Sequence, residues 1–297
     1  MGGTLSMLSI VIVNYRSWTR LGACLDSIRS QHFSDIQVIV VDNDSNDGEA
    51  DRFVQLHPEV EFILQHHNGG FAQANNAGAR CAKGDWLLFL NPDTVLPQGV
   101  LNQLLQRASH EPEWKLIGIR QFNDRGKDTH PHGVFLKWWN VWPPMRAIER
   151  LFRPDQSRHS LSTTPVAFPD WISGSFVLIR KNDFEVLGGW DERFWMYYED
   201  MDLSKRVADK GWARVMYNEL NCVHAHGGSS RINSDIKAMT KSTVVLSAQG
   251  YIQKHFSGLS RALALMTLWK ITFLELLITL PFSAYRRNMF ARLFLNR

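Results

Sequence analysis

An α/β fold with a mostly parallel sheet flanked by helices is what this 297-residue sequence predicts. Three observations point there. Apolar, β-branched runs of strand length alternate with segments whose apolar residues recur at helical spacing, the pattern of right-handed βαβ units. The runs are continuously hydrophobic, as in strands covered on both faces. Clusters of Asn, Asp, Ser and Gly close them, and in such sheets ligands gather beyond the carboxyl ends of the strands.

The first strand is expected over residues 8–13, closed by Asn14-Tyr15-Arg16-Ser17, with a helix through Leu21, Leu25 and Ile28 behind it. The run at 5–13 lacks the basic flank and cleavage site of a signal peptide and reads as this buried strand. A second strand over 36–41 ends in the turn-former cluster from Asp42 to Gly48. A helix over 49–56, a strand over 60–64 and a helix over 68–82 with a Gly-rich opening follow. A fourth strand, 86–90, is closed by Asn91-Pro92-Asp93-Thr94, and a helix over 98–109 leads to a strand near 116–119.

Residues 123–169 depart from the alternation, being rich in Pro and Arg and holding Trp138, Trp139 and Trp142 close together. They read either as an insertion with its own aromatic mini-core or as a surface loop meeting lipid, since Trp favours membrane interfaces. A strand over 171–180 with Ser173-Gly174-Ser175 near its start, a turn at Gly188-Gly189 and a helix over 235–256 come next. The apolar segment 259–280 is interrupted by Lys270 and Glu275, and Pro281 ends or kinks it. On a helical projection Arg261, Thr272, Glu275, Thr279 and Ser283 share one stripe. This predicts an amphipathic C-terminal helix lying in a membrane interface, where long side chains snorkel. A true span, which would bury both charges, and a dimer-interface helix are the alternatives.

Charge distribution agrees with that placement. The net charge is +4, but residues 251–297 alone carry about +6, leaving about −2 on the body. A basic tail on a near-neutral body suits an anionic membrane and argues against a nucleic-acid binder. Cys24, Cys81 and Cys222 have no paired spacing, so they read as small core residues of a reducing compartment.

Chemistry concentrates in a few loops. Glu199, Asp200 and Asp202 stand behind Trp190, Phe194, Trp195, Tyr197 and Tyr198 at a helix start. A wall that excludes water raises a carboxylate's pKa and lets it serve as a base. Asp42 can accept from a nucleobase imide or ribose hydroxyl, although the same residues also form an ordinary Asx turn. Asn68-Gly69-Gly70-Phe71 suits close backbone approach to a phosphate-bearing ligand. No Walker lysine or Gly-x-Gly-x-x-Gly is present, which sets aside ATPase and dinucleotide readings. Asn91-Pro92-Asp93 offers hard oxygens for Mg²⁺ or Mn²⁺, and the segment from His224 to Ser229 can add an imidazole.

Taken in order, Val11-Ile12-Val13-Asn14-Tyr15, Val41-Asp42-Asn43-Asp44-Ser45, Asn68-Gly69-Gly70-Phe71-Ala72, Leu90-Asn91-Pro92-Asp93-Thr94, Gly189-Trp190-Asp191-Glu192 and Tyr198-Glu199-Asp200-Met201-Asp202 form a set. Together with His224, this set resembles family 2 glycosyltransferases of the GT-A fold and closely resembles bacterial rhamnosyltransferases of O-antigen and cell-wall polysaccharide synthesis. The resemblance covers residues 8–230. It implies inverting transfer from a nucleotide sugar, with dTDP-rhamnose the expected donor, to a lipid-linked saccharide at the cytoplasmic face of the inner membrane.

By resemblance, Asn14, Tyr15, Asp42, Asn43, Asn68, Gly69, Gly70, Phe71, Asn75, Asn91 and Asp93 bind the nucleotide sugar. Asp93 and His224 hold a divalent metal, Mg²⁺ or Mn²⁺. Asp200 is the base and Glu199 its catalytic neighbour, with Asp202 structural. Ser173, Gly174, Trp190, Trp195 and Tyr198 form the acceptor side. Asn91 replaces the first Asp of the family's Asp-x-Asp and gives up one charge toward the metal. The expected division is a catalytic domain over 1–232 (donor half 1–120, acceptor half 121–232) and a membrane-associating helical region over 233–297. A nucleotidyltransferase and a non-catalytic nucleotide-sugar scaffold are the competing classes.

Overall fold

The computed structural model describes residues 7–31, 33, 35–152, 163–225, 234–279 and 283–295. Strands β1 (Leu8–Asn14), β2 (Ile36–Asp42), β3 (Glu61–Leu64) and β4 (Trp86–Leu90) lie parallel in the spatial order β3-β2-β1-β4. Their crossovers are α1 (Trp18–Arg29), α2 (Ala50–Leu56) and α3 (Gly70–Cys81). β5 (Thr94–Val95), α4 (Val100–His110) and β6 (Trp114–Phe122) continue the chain.

The strand alternation explains why the runs are apolar throughout. Ile10, Ile12, Val40 and Leu88 face α1 and α4, whereas Val11, Ile39, Val41 and Phe89 pack on the other side with α3. Successive side chains point to opposite faces, so a sheet covered on both needs every position apolar. α3 sits close because of Gly78: a Cβ there would lie 2.4 Å from a methyl of Val11.

Two features of the second half depart from the expected pattern. The strand expected over 171–180 is two pieces, β9 (Trp171–Ile172) and β10 (Phe176–Arg180), separated by the Ser173-Gly174-Ser175 turn. β9 pairs with β7 (His132–Gly133), while β10 inserts antiparallel between β4 and β6. The sequence reading also has no strand where β11 (Ala213–His224) runs parallel to β6, flanked by β5 and β8 (Val166–Ala167). A bulge between Tyr217 and Asn221 shifts its register, so its buried positions change phase partway along and no single period fits.

The insertion carries a helix, α5 (Pro143–Phe152), while residues 153–162 of it lie outside the described residues. Its Leu136 and Val141 do join a small core, but one shared with Phe194, Tyr251, Ile252 and Ala264, not an independent one. α6 (Lys181–Val186) and α7 (Glu199–Asp209) lead into the C-terminal helices α8 (Ser234–His255), α9 (Gly258–Thr279) and α10 (Ala284–Phe290).

The polar stripe expected on α9 is only partly covered, with Arg261 exposed and Glu275 half-exposed. Thr272 is buried with Ala264 and Leu276, and Glu275 pairs with Arg286. Leu259, Met266, Phe273, Leu274, Leu277 and Ile278 point outward. The outer surface of the helix is therefore largely apolar but also carries Arg261, Lys270 and Glu275, the last held by Arg286. At 22 residues and a mean hydropathy of 1.6 it is long and apolar enough to cross a membrane. Pro281 falls outside the described residues.

Candidate active site

Strand register brings the predicted loops to one edge. Asn14 is the cross-strand partner of Asp42, and Ile12 that of Leu90, so the ends of β2, β1 and β4 adjoin. β10 starts opposite Leu90, which places Ser173-Gly174-Ser175 at the same edge. Val223 pairs with Phe122, which brings His224 there from the far side of the sheet.

On the donor side, Asn14 Nδ2 donates to Asp42 Oδ1 at 3.0 Å, and Ser45 donates to the same carboxylate through its N–H (3.0 Å) and its hydroxyl (2.5 Å). Asp42 is buried and its orientation is fixed from within, with about one of its roughly four acceptor sites left over. Tyr15 stands exposed beside it.

Asn43 clips the Gly-rich turn. Its Nδ2 donates to Asn68 Oδ1 (2.9 Å) and its Oδ1 accepts from Gly69 N–H (3.1 Å). Asn75 caps nothing outside its helix: its amide bonds back to Phe71 O at 2.9 Å. The aromatic loop closes on this turn from above, with Phe71 N–H bonded to Trp195 O (2.8 Å) and Trp195 Nε1 to Asn68 O (3.2 Å).

Gly70 is irreplaceable here, since its φ is +83° and a Cβ would sit 2.1 Å from the Trp195 carbonyl oxygen. Gly70→Ala is expected to cost at least about 2 kcal/mol in urea denaturation and to weaken nucleotide binding. Gly126→Ala, at φ +72° with open space around it, is the control and is expected to cost about 1 kcal/mol.

Asp93 and His224 meet as expected. Asp93 Oδ1 is 3.1 Å from His224 Nε2, and the Asn91 amide is 3.2 Å from the same nitrogen. His224 Nδ1 contacts Gln121 Oε1 at 2.9 Å, which also accepts from Ser175 Oγ at 3.0 Å. Arg20 adds a cation the sequence reading did not single out: it reaches Asp93 at 3.3 Å and Ala225 O at 2.8 Å. Among the described residues no group of three or more His, Cys, Asp and Glu converges, so two ionisable ligands and one amide are the donor set. Residues 226–230 of the His-x-x-Gly-x-Ser element lie outside the described residues.

On the acceptor side, Tyr197 and Tyr198 both adopt φ +69°, two consecutive left-handed residues directly before Glu199-Asp200. Such strain is rare outside glycine and persists where surrounding structure imposes it. Here Tyr198 packs on Tyr251 and the Trp195 carbonyl is bonded to Phe71.

Asp200 is half-buried, and burial pushes its carboxyl up to about 6, against the opposing pull of N–H donors from Met201 (2.7 Å) and Gly174 (3.3 Å). Glu199 is turned inward, 7 % exposed, with Oε2 reaching no partner among the described residues. Burial first, and the Asp200 charge second, hold it well above the usual carboxylate range. Two adjacent carboxyls in one desolvated turn do not both ionise cheaply. Glu199 keeps the proton, and Asp200, with its two N–H donors, is the one that ionises.

Other expected site residues are corrected in position. Trp190 is 1 % exposed and edge-on to Phe71 and Phe89, so it backs the pocket and cannot touch an acceptor. Phe194 is likewise buried against α8. Asn76, which the sequence reading passed over, fixes Trp190 through both its N–H (2.9 Å) and its carbonyl (2.8 Å). A polar residue at helical spacing beside small core residues was the one signal that could have marked it. A cavity of about 520 Å³ opens between Arg193–Trp195 and α8, and of the expected aromatic wall Phe194 and Trp195 line it.

Comparison with known proteins follows the same lines. The chain is 29 % identical over 270 residues to the N-acetylglucosaminyl-diphospho-decaprenol L-rhamnosyltransferase of Mycobacterium tuberculosis, covering 82 % of this chain and 84 % of that one. An uncharacterized glycosyltransferase of Haemophilus influenzae is 34 % identical over 253 residues, 84 % of this chain and 77 % of the relative. In fold the chain is similar to the mannosyltransferase PcManGT from Pyrobaculum calidifontis, solved with GDP-Man and Mn²⁺. The TM-score is 0.59 at 14 % identity, over 99 % of this chain and 88 % of that one. The sequence profile of glycosyl transferase family 2 matches residues 9–200, and with the GT-A-like sheet and its edge of loops it leaves no place for a nucleotidyltransferase: this chain belongs to glycosyl transferase family 2.

Proposed function

We propose that the protein transfers rhamnose, with inversion, from dTDP-rhamnose to a sugar on a lipid-linked acceptor in surface polysaccharide synthesis. The observation that carries this reading is the Gly174-Ser175 turn, which touches both halves of the site. Gly174 N–H donates to Asp200, while Ser175 O accepts from Asn91 N–H at 3.0 Å. A base and a diphosphate-side cluster joined through two residues suit direct displacement, in which the acceptor hydroxyl enters opposite the departing nucleotide.

In this reading Asp42 and Tyr15 shape the nucleoside end, and the turn from Asn68 to Phe71 lies along the donor. Asp200 takes the acceptor proton, its raised pKa sitting close enough to neutrality for general base catalysis. Glu199, kept neutral, holds the turn that aims Asp200. The donor set fits a divalent cation. If Gln121 takes the Nδ1 proton, His224 turns an Nε2 lone pair toward the Asp93 carboxylate, an arrangement that a cation between them relieves. Asp93 and His224, with the Asn91 amide turned to present its oxygen, would hold Mn²⁺ or Mg²⁺, which offsets charge on the leaving diphosphate.

Residues 1–232 act as the catalytic domain and 233–297 as the membrane-associating region. The outward apolar face of α9 and its basic neighbours Arg286 and Arg292 support placement on the cytoplasmic face of the inner membrane. The Mycobacterium tuberculosis relative, named for a diphospho-decaprenol substrate, supports a lipid-linked acceptor.

The test is transfer by the full chain from dTDP-rhamnose and from UDP- and GDP-hexoses, with and without Mn²⁺, onto a polyprenyl-diphosphate GlcNAc. The expected result is transfer from dTDP-rhamnose alone, and preference for another nucleotide sugar overturns the donor. Asp93→Ala is expected to weaken donor binding roughly tenfold or more in Mn²⁺. An unchanged donor titration in that variant removes the metal from the reading.

A further inference from the structure

Between the exposed apolar surface and the base stands a cation that the reaction above does not use. Arg146 projects from α5; its Nε donates to the Asn140 carbonyl at 2.9 Å, and its guanidinium stands against the Tyr198 hydroxyl. That hydroxyl also feels the charge of Asp200, so Arg146 and the base lie around one tyrosine. The position of the arginine is set by a buried cluster. Asn140 is fully enclosed, with its amide bonded to Phe135 O (3.0 Å) and Glu149 Oε2 (2.6 Å) and its oxygen to Lys137 N–H (2.7 Å). Glu149, the acid one turn along α5, is occupied by Asn140 and Lys137.

The segment that carries Arg146 also exposes large apolar side chains. Trp138, Trp139 and Trp142 are 41–50 % exposed, and Leu151 and Phe152 are 79 and 82 % exposed. On the same segment Leu136 and Val141 pack with Ala264 and against Leu265 and Leu268 of α9. The aromatic insertion therefore lies against α9, and both elements carry exposed apolar side chains. Tryptophan in this setting is the side chain that settles at a lipid boundary. The insertion thus carries both exposed apolar side chains and the arginine, and the arginine leads through the tyrosine to the base.

We infer that Arg146 binds the phosphate of a lipid-phosphate-linked acceptor, whose chain lies along the insertion and α9 and whose sugar hydroxyl reaches Asp200. This rests on the lipid-linked acceptor of the proposed function. Such an acceptor has its parts in the same order: hydrocarbon, anion, sugar. A guanidinium presents paired N–H donors that match phosphate oxygens, and one prepositioned by Asn140 loses little entropy in doing so. Tyr198 stands between Arg146 and Asp200.

The experiment compares the full chain with Arg146→Gln and Arg146→Lys on two acceptors, a short-chain polyprenyl-diphosphate GlcNAc and the neutral octyl GlcNAc. Arg146→Gln is expected to raise KM for the diphosphate acceptor about 10–100-fold, the range of a lost charge-assisted contact, with kcat within about threefold. Arg146→Lys recovers part of the loss, because it restores charge without the fork. The preference for the diphosphate over the neutral acceptor then collapses by the same factor, while melting temperatures stay within about 2 °C of wild type.

Equal falls on both acceptors, or no change on the diphosphate one, overturn the inference. Flotation with anionic phospholipid vesicles lacking acceptor separates the other source of phosphate: if Arg146→Gln loses vesicle binding in parallel, the arginine reads bilayer headgroups and the inference fails. A wild-type protein that transfers to neither acceptor overturns the lipid-linked acceptor itself, and this inference with it.

Discussion

Asp200→Asn is expected to lower kcat by about 10²–10⁴-fold, the usual contribution of a positioned general base. Asparagine keeps the shape and still accepts from one of the two N–H donors, Met201, whose bond at 2.7 Å is the shorter, so donor binding should persist in a titration of the nucleotide. The variant should melt no lower than wild type. Burial raises the Asp200 pKa, so ionising it costs the folded state, and the amide removes that cost. The same shift sets a pH dependence in the wild type. The base must be ionised, so kcat/KM rises with pH through about 6 and falls about tenfold for each unit below it. A pH profile flat between 5 and 7, or near-full turnover by the asparagine variant, would falsify the assignment.

Asp202→Ala is expected to produce the largest loss of stability, about 3 kcal/mol in urea denaturation. Asp202 has no exposed surface and takes Arg206 Nε (2.8 Å), His255 Nε2 (2.7 Å) and Lys254 Nζ (2.5 Å). It ties α7, which carries the base, to α8. Breaking a buried ionic group by removing one partner typically costs about 3–5 kcal/mol, because the others remain desolvated and uncompensated. The lower end applies here, since Lys254 keeps Asp191 at 2.7 Å.

Burial alone would raise the Asp202 pKa, but His255, Arg206 and Lys254 hold it below the ordinary value. The resulting stability is present above the unfolded aspartate pKa of about 3.9 and is lost as pH falls through the lower folded one. Stability of the alanine variant should accordingly be less sensitive to acid in that window. A melting temperature unchanged from wild type at pH 7 would remove Asp202 as the anchor of α8.

How legible the molecule was depended on whether a signal was local. β1, β2 and β4 announced themselves because strands covered on both faces have apolar residues at every position, and their closing loops carried turn formers in sequence. β11 did not, because its bulge changes the phase of burial midway, and its pairing with β6 is a long-range choice. The 171–180 stretch looked like one strand because its residues are apolar on both sides of Gly174. What divides it is Ser173 N–H bonding to Pro131 and Asn91 bonding to Ser175, neither of which is local.

The sequence by itself determined the alternating α/β architecture and marked Asp93, His224 and Asp200 as candidate site residues, of which Asp93 and His224 do meet, at 3.1 Å. Residue type and periodicity were enough for the architecture, and the ordered motifs for the candidates, since loops at the strand ends of one edge must converge. Tertiary structure alone decided that Trp190 and Glu199 turn inward, that Arg20 and Gln121 complete the Asp93–His224 cluster, and that Thr272 and Leu276 of α9 turn inward while Leu259, Leu277 and Ile278 face out. Those outcomes depend on which elements come to lie against each side chain, and burial and hydrogen-bond satisfaction are properties of that packing, not of spacing along the chain.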